Sequence, residues 1–304
     1  MTKKCSKCSK PAVTFIRYNG THLCRDHFIQ YFERRVKKDI KKQGRTEDNS
    51  RIGIAISGGK DSMVALHITN DIFSKREKIN LFAITVNEGI KGYRDESIKI
   101  AVKNCKKLGI EHHIVSFKHM VGKTMDEIAS KHDELGECSY CGVFRRLCLN
   151  KKSKELEINK LVTGHNLDDM AQSILMNFIN GDAQKLAKLG PHKKIQPGLV
   201  PRMFPLRLIP EKEVVLYAIL KNIEYHDGEC IYSTRAYRRV FRDIVDDLEY
   251  RNPGTRHSIL NSYDSIRELL LDRFPLIGLN NCIECGEPTS QKVCKACIFK
   301  DRIS

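Results

Sequence analysis

The run Ile52-Gly53-Ile54-Ala55-Ile56 leads directly into Ser57-Gly58-Gly59-Lys60-Asp61-Ser62, and an apolar helical pattern follows from Met63 to Phe73. A buried strand, a glycine turn and a helix in immediate succession leave few folds open. Such a corner aims backbone N–H groups and a helix N-terminus at one spot, which suits a phosphate. Gly58 and Gly59 have no Cβ and let the backbone approach closely. Lys60 adds a point charge, and Asp61 and Ser62 offer oxygens to Mg²⁺. The spacing is not that of the nucleotide-kinase loop Gly-x-x-x-x-Gly-Lys-Ser/Thr. Ile54 stands where its first glycine belongs, and Asp61 where its Ser/Thr belongs.

From Arg51 onward strand and helix signals alternate. Apolar strand candidates are Ile52–Ile56, Leu81–Val86, Glu111–Val115 and Lys160–Thr163. Helical stretches are Met63–Phe73, Glu96–Leu108, Phe144–Leu156, Asp168–Ile179, Glu211–Lys221 and Thr234–Leu248. This order predicts an α/β fold, a parallel sheet covered on both faces. The proline-bearing stretch Pro191–Pro210 reads as an irregular exposed connection. The 304 residues divide into an N-terminal Cys/His module with a basic helix (1–48), a catalytic domain (49–250), a helical connection (251–279) and a C-terminal Cys module (280–304).

The formal charge of +16 favours a polyanionic partner. The first 51 residues carry 14 basic and 5 acidic side chains, more than half of that excess. No apolar run is long enough to cross a bilayer, and Met1-Thr-Lys-Lys-Cys5 does not open a secretory signal. A cytoplasmic location is expected, and there 12 cysteines read as metal ligands before disulfides.

Cys5-x-x-Cys8 with Cys24-x-x-His27, and Cys282-x-x-Cys285 with Cys294-x-x-Cys297, have the spacing of two tetrahedral zinc sites. His27 keeps the paired spacing better than His22. Modules this small fold around their metal. The helix after the first site carries Asp26, Phe28 and Tyr31, then Arg34, Arg35, Lys37 and Lys38, a pattern suited to RNA contact. Five cysteines remain. Cys105 and Cys148 fall on apolar helical faces and read as core. Cys138-Ser-Tyr-Cys141 precedes a helix starting near Gly142, and a helix N-terminus favours thiolates. Cys230 follows Asp227-Gly228. By spacing, the trio fits three ligands of a [4Fe–4S] cluster with one open iron, a redox pair such as Cys138 with Cys230 carrying a persulfide, or buried structural cysteine. Cys148, seven residues after Cys141, is a candidate fourth ligand.

The set as a whole is specific. Ser57–Ser62 matches the Ser-Gly-Gly-x-Asp-Ser PP-loop of ATP pyrophosphatases. Cys138-x-x-Cys141-Gly142, Gly164-His165-Asn166-Leu167-Asp168-Asp169, Pro205-Leu206-Arg207-x-Ile209-Pro210-Glu211-Lys212-Glu213 and Cys230 follow, between Cys-x-x-Cys modules at both ends. Over nearly its whole length the chain resembles the tRNA 2-thiouridine synthetases of the TtuA/NcsA group and their eukaryotic cytosolic relatives. The resemblance implies a tRNA sulfurtransferase that adenylates the C2 oxygen of a uridine with ATP and replaces it with sulfur. It places a [4Fe–4S] cluster on Cys138, Cys141 and Cys230, and ATP against Ser57, Gly58, Gly59, Lys60, Asp61, Ser62, Gly164, Asp168 and Asp169. Ile84 and Thr85 would pass the adenine, and Asp169 would be the catalytic aspartate. Some relatives carry a catalytic lysine where this chain has Arg145, whose guanidinium stabilises charge but is no acid or base. Implied partners are tRNA, a ubiquitin-like sulfur carrier or free sulfide, and a second copy of the chain. Competing readings are the same reaction by a Cys138/Cys230 persulfide, nitrogen delivery as in an amidotransferase or lysidine synthetase, and a non-catalytic zinc RNA-binding protein. The cysteine trio argues against nitrogen delivery, and Lys60, Asp61 and Asp169 argue against catalytic silence.

Overall fold

The computed structural model describes residues 3–131, 135–192, 198–233, 237–275 and 278–304. A hairpin of β1 (Thr14–Ile16) and β2 (Thr21–Leu23) precedes α1 (Arg25–Lys42). The central alternation follows as β3 (Arg51–Ala55), α2 (Lys60–Phe73), β4 (Asn80–Asn87), α3 (Arg94–Leu108) and β5 (Glu111–Ser116). Then come α4 (Phe117–Val121), α5 (Met125–Ala129), α6 (Glu137–Glu155), β6 (Lys160–Val162), α7 (Leu167–Ile179), α8 (Ala183–Ala187) and β7 (Arg202–Met203). The chain ends with α9 (Glu211–Leu220), α10 (Arg238–Arg251), α11 (Thr255–Arg273), the pair β8 (Asn280–Asn281) and β9 (Pro288–Thr289), and α12 (Lys295–Ile303).

Five strands form the sheet in the order β5-β4-β3-β6-β7, every pair parallel. The order reverses between β3 and β6. At such a switch point the loops leaving two neighbouring strands part to opposite faces and open a crevice. The PP-loop leaves β3 there and the Gly164–Asp169 run leaves β6. Ile52 and Ile54 in β3 are fully buried, so the strand carries no polar alternation. One core packs α1, α2, α3 and α9 on one face, and a second packs α4, α5, α6 and α12 on the other.

The terminal modules are part of this body. α1 buries Phe28, Phe32, Val36 and Ile40 at four-residue spacing, and Phe32 stacks on Tyr217 of α9 at 4.0 Å. At the other end Phe299 of α12 packs on Tyr140 of α6, ring centroids 4.6 Å apart. The stretch 251–279, expected as a connection, contains α11, which packs on α7 and α10 and contributes Leu260 and Tyr263 to a third core. Two further expectations need correction. Within Pro191–Pro210 the residues Met203, Phe204, Leu206 and Ile209 are buried, and β7 is an edge strand of the sheet; edge positions tolerate the neighbouring prolines. The helix around the first cysteine pair begins at Glu137, not near Gly142, because Gly136 breaks the chain at φ 70° and Glu137 suits the first turn. The start expected at Thr234 lies outside the described residues, and α10 runs from Arg238. No helix among the described residues is long and apolar enough to cross a membrane.

Candidate active site

The PP-loop is braced by its own hydrogen bonds. Ser62 Oγ donates to the Gly59 carbonyl (2.8 Å) and accepts from the Ser57 N–H (3.0 Å). Its hydroxyl is thus engaged inside the loop and not presented to the cavity. Gly58 has φ +88°, and a Cβ there would lie 2.1 Å from the Ser97 carbonyl oxygen of α3. Gly164 is held equally close, since its Cβ would come within 2.9 Å of the Asp61 backbone. Gly59 starts α2 without a side-chain cap, leaving first-turn N–H groups for an anion.

Charged residues crowd the same spot. Lys60 Nζ lies 3.1 Å from Asp61 and 2.6 Å from Glu211. Burial pulls its pKa down, but Asp61 and Glu211 outweigh this and hold the ammonium above its ordinary range. Asp61 accepts from Asn166 Nδ2 at 2.9 Å, yet burial raises its pKa despite Lys60. Asp168 and Asp169 divide their work. Asp168 pairs with Arg256 at 2.8 Å and accepts the Glu211 N–H, also at 2.8 Å, at the start of α9. Burial, partly offset by Arg256, pushes it up to about 6. Asp169 closes a capping box with Asn166 at the start of α7, and Arg238 Nη1 stands 3.9 Å from its Oδ1. Asp168 is thereby a structural anchor and Asp169 a helix cap, and both have a place in the cavity wall.

Three of these segments meet the third cysteine. A cavity of about 740 Å³ is lined by Lys60, Asp61, Asp169, Glu211, Cys230 and Arg239, among others. The His226 N–H donates to the Gly58 carbonyl at 2.8 Å, forming a parallel bridge between Gly59 and His226. The segment carrying Cys230 is therefore hydrogen-bonded onto the phosphate loop. Cys138 Sγ lies 3.6 Å from the Tyr232 carbonyl, two residues past Cys230. Arg145 Nη2 donates to Cys141 Sγ at 3.0 Å, one helical turn away.

The expectation that the helix end lowers these thiol pKa values fails. Burial pushes Cys141 up to about 11 although Arg145 pulls the other way, and burial also raises Cys138. At Cys141 desolvation outweighs the Arg145 guanidinium. Ile84 and Thr85 are also displaced from their expected role. Both are fully buried inside β4, the Thr85 hydroxyl contacts His112 at 2.7 Å, and the strand continues to Asn87. Its open end lies beyond them, at Asn87 and Glu88.

Two cysteine groups have the compactness of a single-ion site. The ligand atoms of Cys5, Cys8, Cys24 and His27 lie within 4.8 Å of one another, as do those of Cys282, Cys285, Cys294 and Cys297. Separations such as 3.7 Å for Cys8–Cys24 and 3.6 Å for Cys285–Cys294 match the edge of about 3.8 Å expected of a tetrahedron with Zn–S near 2.3 Å. His22 stacks on Phe15 instead. Cys138, Cys141 and Cys230 form no such compact group among the described residues. Cys148 is fully buried, and seven residues of helix put it about 10.5 Å along the axis from Cys141. It is a core residue, not a fourth ligand.

On α1 the expected RNA face narrows. Phe28 is fully buried, and Arg35 forms a 2.7 Å ion pair with Glu213. Arg34, Lys37, Lys38 and Lys41 share one open groove. Sequence reading passed over Glu211, Asn166, His226, Arg239 and Arg242 as site residues. Only Asn166 and Glu211 lay within recognised motifs.

Comparisons with known proteins agree with this geometry. The family described as PP-loop domain matches residues 29–248, and that described as the 2-thiouridine synthetase TtuA N-terminal LIM domain matches residues 4–29. The tRNA 2-thiolation protein NcsA of Haloferax volcanii is 41% identical, with 97% of each chain covered. The cytoplasmic tRNA 2-thiolation protein 1 of Oryza sativa is 35% identical over 100% of this chain and 84% of its own. Among solved structures, the U34-tRNA thiolase NcsA from Methanococcus maripaludis, with its [4Fe-4S] cluster, superposes with a TM-score of 0.85. It is 39% identical, and the match covers 99% of this chain and 97% of that one.

Proposed function

The chain belongs to the PP-loop tRNA 2-thiouridine synthetase family, and on that premise we propose how its residues carry out ATP-dependent tRNA thiolation. One observation carries the reading: Cys230 lines the same cavity as the phosphate loop, on a segment hydrogen-bonded to Gly58. Our reading of the target is the wobble uridine, supported by the U34 thiolase likeness.

ATP would lie with its phosphates on the N–H groups that open α2 and on Lys60, displacing Glu211 from the ammonium. Asp61, Asp169 and Glu211 are hard oxygen donors for Mg²⁺ on those phosphates. The uridine must leave its stack to reach them. Its C2 oxygen attacks the α-phosphorus, the bond to the β-phosphate oxygen breaks, and pyrophosphate departs. The N3 proton is lost in this step, and Asp169 is our assignment for its acceptor. Sulfide then attacks C2. The C–O bond breaks, AMP leaves with the former carbonyl oxygen, and the sulfide proton restores N3–H. Lys60 and the loop amides stabilise charge moving onto pyrophosphate. Arg145 stabilises negative charge beside Cys141 and takes no proton.

Cys138, Cys141 and Cys230 fit a [4Fe–4S] cluster by number and by the N–H donor at Cys141. When bound there, such a cluster supplies one iron without a protein ligand, a Lewis-acid seat for sulfide. Zinc on the two compact cysteine groups would hold the terminal modules. Sulfur would come as free sulfide or from a ubiquitin-like carrier. A homodimer is compatible with the exposed apolar row Val240, Ile244 and Leu248 on α10. A cytoplasmic setting follows the naming of the plant relative.

The test is anaerobic purification, iron analysis, and mass spectrometry of tRNA nucleosides after incubation with ATP and sulfide. We expect iron-dependent 2-thiouridine at the wobble position and equimolar pyrophosphate. Iron-free protein of full activity would instead favour a Cys138/Cys230 persulfide, and no pyrophosphate with any tRNA would sink the reading.

A further inference from the structure

Beside the cavity runs a chain of charges that reaches from Arg145 to the PP-loop, and its middle members, Glu88 and Arg94, have no part in these steps. Glu88 follows the last residue of β4, at the carboxyl edge of the sheet, and its side chain is only 5% exposed. One carboxylate oxygen meets Arg94 Nε at 2.7 Å, an ion pair whose direction lies off the hydrogen-bond line. The other accepts from Arg145 Nε at 2.9 Å. Arg94 opens α3, and its Nη1 donates to the Ser57 carbonyl at 2.9 Å. Arg145 in turn donates to Cys141 Sγ at 3.0 Å. A single buried carboxylate thus links the first residue of the PP-loop to a cysteine of the trio.

The arithmetic of charge gives this link its direction. Glu88 neutralises one of two guanidiniums and leaves one positive charge, which faces the Cys141 sulfur. Arg94 is 3% exposed and is also held by the Val86 carbonyl and the Ser97 hydroxyl. Arg145 is 51% exposed and, among the described residues, makes polar contacts only to Glu88 and Cys141. Glu88 is therefore the group that stops a long solvent-facing side chain from leaving the sulfur. Without it two guanidiniums would face each other with nothing between.

We infer that Glu88 is a positioning residue for thiolation: it holds Arg145 on Cys141 and, through Arg94, references that contact to the PP-loop. The inference rests on the reading of the trio as a cluster site. An N–H donor fixed on a ligand sulfur sets ligand orientation and the electronic properties of the metal.

The experiment compares wild type, E88Q, R145M and E88Q/R145M after anaerobic reconstitution. Iron content, the electron paramagnetic resonance spectrum of the reduced protein, thiolation kinetics and the thermal midpoint are read for each. E88Q is expected to alter the spectrum and lower kcat about 10–100-fold, the range for partners that orient metal ligands. The KM for ATP should stay within about threefold, as expected of a group that does not touch the nucleotide. E88D, which keeps the charge, should recover part of the loss, and it replaces E88Q if that variant fails to fold. The double variant should be no worse than R145M alone. A purely structural Glu88 would add its full loss in both backgrounds, and that result, or an E88Q spectrum and kcat equal to wild type, overturns the inference. Wild-type protein that takes up no iron would overturn the cluster reading itself, and the positioning role with it.

Discussion

Two adjacent glycines of the PP-loop should respond very unequally to the same added methyl group. In Gly58→Ala the new Cβ would stand 2.1 Å from the Ser97 carbonyl oxygen, where a carbon–oxygen contact needs about 3.3 Å. Loop or helix must move by about 1 Å. The residue also sits at φ +88°, which costs an L side chain about 1–2 kcal/mol. Overpacking adds about 1–3 kcal/mol, for a total of about 2–5 kcal/mol. At roughly 2–4 °C per kcal/mol the thermal midpoint should fall by roughly 5–15 °C. In Gly59→Ala the Cβ would meet only Ser57 Oγ at 3.6 Å, with φ −74°. Its cost is that of alanine at a helix start, about 1 kcal/mol or less. The assay is thermal unfolding of both variants, followed by pyrophosphate release with tRNA. Gly58→Ala should lose about 100-fold in rate through the 1 Å displacement of the loop. Equal midpoints for the two variants would refute the claim that α3 presses on the loop at Gly58.

Arg256→Met should destabilise the protein more at pH 8 than at pH 5. Asp168, already raised to about 6 by burial, loses its guanidinium partner. A carboxylate whose folded pKa is raised opposes folding above that pKa, and the penalty fades as pH falls through it. The loss at pH 8 should approach the about 3–5 kcal/mol of a broken buried pair, and pH-dependent denaturant melts measure it. Charge reversal at Arg34, Lys37 and Lys38 should weaken tRNA binding about uniformly across sequences and flatten its salt dependence, as titrations at several salt concentrations would show. Chelation should release two metal ions per chain, and Cys24→Ser should lower the thermal midpoint of the whole protein, because Cys24 and α1 belong to the first core.

Local patterns were legible in the sequence, and long-range pairings were not. The PP-loop, both compact cysteine groups and four of the five sheet strands announce themselves within a few residues, through fixed spacing or apolar runs, whereas β7 does not. Cys138, Cys141 and Cys230 could be singled out, but their partners could not: Glu88 meets Arg145 from 57 positions away. Asp168 and Asp169 read alike in sequence, and only the approach of Arg256 and of the start of α9 separates them. Arg35 looked like one more base on a basic helix until Glu213 was seen to claim it. The helix end at Cys141 promised a lowered thiol pKa, and burial, which no spacing reports, reversed it.

The contact between Tyr140 and Phe299 makes the cysteine-bearing turn of α6 depend on a distant part of the chain. Tyr140 sits between the two cysteines on the first turn of α6, and Phe299 belongs to α12, inside the carboxyl-terminal cysteine module. A ribosome-bound chain that has exposed Cys138, Cys141 and even Cys230 still lacks the prop behind that turn. The first turn of α6 therefore has its full packing only when the helix carrying Phe299 is in place behind Tyr140.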